Sequence, residues 1–412
     1  MNHSRGDGLM IENKQVSILL VGIGGYGNNY VRDLLEADDN RASIAGVVEV
    51  NPDSCRYVQQ LRDKGIPFYT DMESFYAESQ ADLAIISTPI QFHCQHVCTA
   101  LSHGSHVLCE KPLAATVQEA QTMMEARDRS GKFVAVGYNL SFNNQILALK
   151  QDILAGLYGK PKRLKSIVLW RRALSYFQSG WKGKRKSASG AWILDSVAHN
   201  ATAHFLHNMV YLTGPATDRS ANPLNATVEL YRANDIETFD TCTMKVKTDN
   251  GADIYFYTSH TILDNEGPIF HFEFERATIT FAEGLNDNRI TAEFHDGSQK
   301  VYASTGTTQT EDKLRVCIDA IVSGSGQVPC GLEAAYSQLL AVNAAMDAIP
   351  QAPGYPESLV HLDDETNAVW VEGLADTLKR CFDEWKLPSE TGTAWAAPAK
   401  HVDFAGYREF RG

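Results

Sequence analysis

The sequence predicts an α/β protein whose N-terminal domain is built on a parallel sheet. An α+β domain with a large, mostly antiparallel, open-faced sheet follows it. Three observations carry this. From Val16 to Val136 apolar runs alternate with helical patterns, the rhythm of β-α-β units with right-handed crossovers. Beyond Gly137 short alternating runs take over, with Asp249-Asn250-Gly251 and Asp296-Gly297 as hairpin signals. At 412 residues the chain is too long for one ordinary core. The divisions read as 1–140, 141–350 and a C-terminal extension, 351–412, expected to pack on the fold or on a neighbouring subunit.

The first strand is Val16 to Val21, apolar apart from Ser17, as suits a strand buried on both faces. Gly22, Gly24 and Gly27 follow as G-x-G-x-x-G at its end. The first glycine permits the tight turn, the second admits a pyrophosphate, and the third lets the next helix pack close with its N–H groups aimed at phosphate. Ser43 to Val50 is a second β-rich run, and Glu49 stands 22 residues after Gly27. There a Rossmann unit places the acid that holds the adenosine ribose hydroxyls. The domain therefore reads as a Rossmann dinucleotide-binding domain. The acid favours NAD, with NADP less favoured because its 2′-phosphate would meet the carboxylate.

Further along, Thr70 with Glu73 and Thr116 with Glu119 fit capping boxes. Apolar runs at Leu83 to Ser87, Val107 to Cys109 and Phe133 to Val136 supply further strands. Their ends bring Ser87-Thr88-Pro89 and Glu110-Lys111-Pro112 to the rim that already holds Gly22 and Glu49. Lys111 there can donate to a substrate hydroxyl and stabilise alkoxide character as hydride leaves. The predicted cofactor contacts are Gly22, Ile23, Gly24, Gly25, Tyr26, Gly27, Glu49, Ser87, Thr88, Pro89, His93, Glu110, Lys111 and Asn139. His93 and His96 are three apart, Cys94 and Cys98 four apart, so the pairs point to different faces of a helix and no metal is expected.

In the second half, Ser141 to Leu157 reads as a helix and Leu164 to Arg172 as a strand. A basic, aromatic run follows to Trp181-Lys182-Gly-Lys-Arg-Lys186. Strand signals recur from Ala226 to Phe294, among them the plainly alternating Phe270-His-Phe-Glu-Phe274. Amphipathic helices follow at Leu314 to Ile321 and Leu332 to Leu340, and in the extension at Thr366 to Trp385. One sheet face is left unclaimed, which predicts a homodimer or homotetramer formed through it. In the stretch Gly190 to His199, helical spacing would place Asp195 and His199 on one face, a carboxylate orienting an imidazole base. A helix cap and a buried structural histidine fit the same spacing. Arg172 is the first candidate in the basic run to meet an anionic group on a substrate.

The net charge of −13 disfavours non-specific nucleic-acid binding and points to a small-molecule partner. Met1 to Asn13 has no apolar core of a signal peptide, and no apolar run is long enough to span a membrane. Eight scattered cysteines without C-x-x-C pairs suit a reducing cytoplasm.

Ala81-Asp82-Leu-Ala-Ile-Ile-Ser-Thr-Pro89, His93 and Gly104-Ser-His-Val-Leu-Cys-Glu110-Lys111-Pro112-Leu113-Ala114 resemble the glucose–fructose oxidoreductase/inositol dehydrogenase (Gfo/Idh/MocA) family. The likeness is clear from about Val16 to Tyr138. It implies an NAD(P)-dependent oxidoreductase of sugars, cyclitols or related polyols, with Lys111 at the reacting carbon. By the same resemblance Asp195 and His199 match the family's acid–histidine pair, and the substrate set becomes Lys111, Arg172, Asp195 and His199. Val197 and Thr202 stand where that motif has glycine and aspartate, and the usual arginine is missing from Tyr138-Asn-Leu-Ser-Phe142. Two other outcomes share the cofactor: an NAD-assisted glycoside hydrolase and a non-enzymatic NAD sensor.

Overall fold

The computed structural model describes residues 15–37, 40–178, 180–306 and 310–412, so the stretch Met1 to Asn13 lies outside the described residues. Six strands form the first sheet: β1 (Val16–Val21), β2 (Ala42–Val48), β3 (Phe68–Tyr69), β4 (Leu83–Ile86), β5 (His106–Cys109) and β6 (Val134–Val136). All pairs are parallel, in the order β3-β2-β1-β4-β5-β6. The order reverses between β1 and β4, which opens a crevice beyond their C-terminal ends. In β1 every residue but Ser17 is buried, and Ser17 is partnered: its hydroxyl donates to Asp82 at 2.9 Å. Thr116 and Glu119 form a capping box. The helix Met72–Glu78 is capped instead by Asp71, which accepts from Ser74 N at 2.8 Å, one residue later than Thr70.

The second sheet has nine strands. They are β7 (Pro161–Leu169), β8 (Pro223–Tyr231), β9 (Thr241–Thr248), β10 (Asp253–Ser259), β11 (Glu266–Phe274), β12 (Ala277–Ala282), β13 (Ile290–Phe294), β14 (Gln299–Tyr302) and, after the hairpin β15 (Val360–Asp363) and β16 (Ala368–Val371), β17 (Lys400–Asp403). The order is β14-β13-β12-β11-β7-β10-β9-β8-β17, antiparallel except for β7 with β10. Phe270, Phe272 and Phe274 point from β11 into the core shared with the helices Ala203–Leu212 and Leu332–Ala348.

Over β7 and β10 the other face of this sheet is covered by the chain itself, so the face is not wholly unclaimed as the sequence suggests. Ile167, Leu169, Tyr255 and Tyr257 pack against Leu374, Leu378, Cys381 and Phe382 of the helix Leu374–Glu384. Lys165 donates to Phe382 O at 2.6 Å, and Tyr257 OH donates to Cys381 O at 3.1 Å. On the β11–β13 half the outward residues are polar, among them His271, Glu273, Thr278 and Thr280. The expected single helix Thr366 to Trp385 is thus β16 and a shorter helix, separated at Gly373, whose φ of +71° ends helical continuity. The last residues return to the first domain: Phe410 stacks edge-on against Trp192 and bonds through its backbone to Gln118. The helix expected at Ser141 to Leu157 is a 3₁₀ turn, Asn139–Phe142, and then Asn144–Leu154. All eight cysteines are free thiols. Among the described residues no helix is long and apolar enough to cross a membrane.

Candidate active site

A cavity of about 820 Å³ lies beyond the C-terminal ends of β1, β2, β4 and β5, and Trp181, Lys182 and Asn200 of the second domain line its far side. At one wall, Gly22 turns with φ +83°, and a Cβ there would stand 2.9 Å from Ser87 O. A Cβ on Gly27 would fall 2.3 Å from Gly22 O, so only glycine lets the helix Gly27–Glu36 start so close to the strand end. A Cβ on Gly24 would meet Ser54 Oγ at 2.6 Å. The wall is thus a bare-backbone cradle, and it fits a dinucleotide pyrophosphate. Gly24, Gly25 and Tyr26 line the cavity with Gly22, whereas Ile23 and Gly27 stand behind it. Ile23 gives its N–H to Glu49 Oε2 at 2.9 Å, and Asn51 N donates to Oε1 at 2.9 Å. Glu49 is therefore fixed at the end of β2, in one wall with Asp71 and Glu73.

Ser87, Thr88 and Pro89 line the middle. His93 does not. Its two ring nitrogens face Pro112 O at 2.8 Å and Thr88 O at 2.9 Å, so it ties two loops together behind the wall. The histidine in the wall is His96, whose Nδ1 lies 3.1 Å from Thr88 Oγ1 and whose pKa burial lowers to about 4. Three residues of spacing set the two rings apart, His93 buried behind the wall and His96 in it. Asn139 stands beside Tyr26, its amide nitrogen 3.4 Å from the hydroxyl, outside the cavity lining.

Glu110 and Lys111 form the other end. Glu110 accepts from Tyr30 OH at 2.6 Å and from buried Lys313 at 2.5 Å, which also sits over the rings of Tyr26 and Tyr30. Gly137 leaves room for that carboxylate: a Cβ there would come within 2.8 Å of Oε1. Lys111 donates to Asn200 Oδ1 at 2.7 Å and to Asn200 O at 2.8 Å. Burial lowers the Lys111 pKa to about 8, opposed by the charge of Glu110.

The expected Asp195–His199 pair is absent among the described residues. The segment before Ser196 is not helical, Leu194 has φ +54°, and Val197–Ala201 forms a π-turn capped by Ser196. Asp195 thus stands before the cap, outside the turn, where helical spacing does not set its partner. It accepts from Asn200 Nδ2 at 2.7 Å and from Gly183 N at 2.6 Å. His199 is wholly buried, with Nε2 3.1 Å from Ala114 O and Nδ1 unpartnered. Burial pushes its pKa down to about 3, and it does not line the cavity. Burial also raises the Asp195 pKa, against the charge of Lys182.

Arg172 is likewise off the cavity lining, 5.2 Å from the Tyr176 ring centre, where its NH1 donates to Arg171 O. Lys182 of the same run is in the wall. Asn200 and Lys313 are the functional-site residues that sequence spacing missed. Asn200 had no signal, because nothing in the sequence announces a π-turn. Lys313 had one: it stands four residues before Cys317, on the apolar stripe of its helix. No group of three or more metal-ligating side chains occurs among the described residues.

The fold and the cavity define a dinucleotide-binding protein of the Rossmann class. The model of the oxidoreductase family with an NAD-binding Rossmann fold (Gfo/Idh/MocA) matches residues 16–138, the whole of the first sheet. Among curated relatives, a 1-carboxy-3-chloro-3,4-dihydroxycyclohexa-1,5-diene dehydrogenase of Comamonas testosteroni is 30% identical over 36% of this chain and 37% of its own. An inositol 2-dehydrogenase/D-chiro-inositol 3-dehydrogenase of Shouchella clausii is 31% identical over 37% of this chain and 44% of its own. The chain thus spans under half the length of these relatives. A solved structure of the WlbA dehydrogenase from Chromobacterium violaceum, with NADH and UDP-GlcNAcA, superposes with a TM-score of 0.68 at 20% identity. It covers 81% of this chain and 93% of that one, and carries the likeness through the second domain as fold alone.

Proposed function

We propose that the protein is an NAD-dependent oxidoreductase acting on a CH–OH group of a sugar, cyclitol or related polyol. The observation that carries this is Lys111. An amine held by two oxygens of Asn200 stands in the wall of the same cavity as the glycine cradle. A bound nicotinamide supplies the hydride acceptor or donor there.

The chain's own residues do the rest. Gly22, Gly24 and Gly25 admit the pyrophosphate, and Glu49 takes the ribose hydroxyls. Asp71 and Glu73 add negative charge to that wall, which favours NAD over NADP. Lys111, with its pKa lowered to about 8, takes the substrate hydroxyl proton as the neutral amine and returns it as the ammonium in reduction. Asn200 is a positioning residue. An amide carries no exchangeable acid or base near neutral pH, so the proton chemistry falls to Lys111 itself. Asp195 fixes the amide, leaving Oδ1 toward Lys111. His199, which the resemblance made the base, is buried and does not line the cavity.

The test is titration with NADH and NADPH, followed by NAD⁺ with a panel of polyols and sugars. The reading predicts NADH binding and stoichiometric NADH with a carbonyl product. Cleavage of a glycoside without net NADH, or NADH binding without turnover on any alcohol, would replace it with the hydrolase or the sensor.

A further inference from the structure

We propose that the substrate carries an anionic group, a carboxylate or a phosphate, and that Lys182 binds it. The proposal rests on the oxidoreductase reading and names the substrate class of the same cavity.

Lys182 lines the cavity together with Lys111 and Asn200. Among the described residues its Nζ has one hydrogen-bond partner, the Tyr176 OH at 3.0 Å. It lies over the rings of Trp181 at 4.2 Å and Tyr176 at 4.4 Å, which orient the ammonium without neutralising it. Among the described residues neither Lys182 nor Lys111 forms an ion pair. Arg172 lies over the same Tyr176 ring, 5.2 Å from its centre, and adds a third positive charge behind them. The carboxylate nearest in effect is Asp195, whose two oxygens already accept from Gly183 and Asn200. Glu110 is matched by Lys313. His260, packed by Tyr176, is kept neutral by burial.

The rest of the basic run is accounted for elsewhere. Lys184 pairs with Glu237 at 3.2 Å, Arg185 donates to Pro350 O at 3.1 Å, and Lys186 lies 3.8 Å over Trp192. Lys182 is set apart by position and by partner. The reacting end of the cavity thus holds more positive than negative charge, in a chain whose net charge is −13. A neutral polyol leaves that excess uncompensated; a carboxylate or phosphate offsets it by a charge-assisted bond.

The experiment measures ligand binding to the NADH-loaded protein by calorimetry, with D-glucose, D-glucuronate and D-glucose 6-phosphate as probes. At least one anion is expected to bind about tenfold or more tighter than D-glucose, with an advantage that shrinks as salt rises. The better probe tells carboxylate from phosphate. Lys182→Met should erase the advantage and Lys182→Arg should keep most of it. Lys182→Gln serves if the Met variant fails to fold. No advantage for either anion, or one that survives loss of the ammonium, overturns the proposal. Failure of the wild type to bind NADH would instead overturn the oxidoreductase reading.

Discussion

Asn200 meets Lys111 with both of its oxygens, Oδ1 at 2.7 Å and the backbone carbonyl at 2.8 Å from Nζ, while its amide nitrogen donates to Asp195 at 2.7 Å. The three residues form a line from a buried carboxylate to the cavity. Removing the amide loosens the amine from its position and leaves Asp195 short of a donor. Asn200→Ala should lower kcat about tenfold or more, since misplaced groups lose much of their catalytic effect. Asn200→Asp places a further negative charge beside the ammonium and should move the ascending limb of the pH profile for alcohol oxidation to higher pH. A merely structural role for Asn200 would lower activity without moving that limb, so the pH profile is the readout.

Cofactor choice depends on Glu49, anchored by Ile23 N and Asn51 N at 2.9 Å each. A 2′-phosphate beside that carboxylate would meet repulsion of up to ~4 kcal/mol for charges ~4 Å apart at an effective dielectric of ~20. Arg41 does not relieve it, being held by Asp319 at 2.7 Å. NADH should bind more than tenfold tighter than NADPH, and Glu49→Gln should narrow the gap. Parallel fluorescence titrations check this; equal affinities in the wild type would remove Glu49 from cofactor selection.

The helix Leu374–Glu384 holds the outer face of the second sheet through Leu378, which is fully buried beside Phe382. Leu378→Ala should cost about 2–5 kcal/mol, as large-to-small changes in packed cores do. Thermal unfolding would show it. An unchanged melting temperature would mean the helix contributes little to the folded state.

Much of this fold was legible in the sequence, because parallel strands and glycine turns write themselves locally. Val16 to Val21 can only be a strand buried on both faces, and the Gly22 and Gly27 requirements arise from backbone a few residues away. What was not legible depends on distant partners. The face of β7 and β10 looked open because its cover, Leu374 to Phe382, comes far later in the chain than either strand. The pairing of Asp195 with His199 assumed 3.6 residues per turn. Asp195 instead precedes the π-turn at Val197–Ala201 in non-helical backbone and is met by Asn200, while the imidazole lies in the core. His93 and His96 show the limit again, since three residues on a helix decide which ring faces a cavity. In the basic run the sequence put Arg172 first, and only the fold brought Lys182 to the cavity wall.

The most direct test of the account is the pH dependence of kcat/KM for alcohol oxidation in the wild type, Lys111→Met and His199→Gln. A base must be neutral to accept the proton, so activity should rise with pH through about 8, the lowered pKa of Lys111. His199→Gln should keep that limb and most of the turnover, while Lys111→Met should abolish the limb and lower kcat by about 10² or more. A limb near pH 8 that survives in Lys111→Met but disappears in His199→Gln would contradict the assignment of the acid–base role to Lys111.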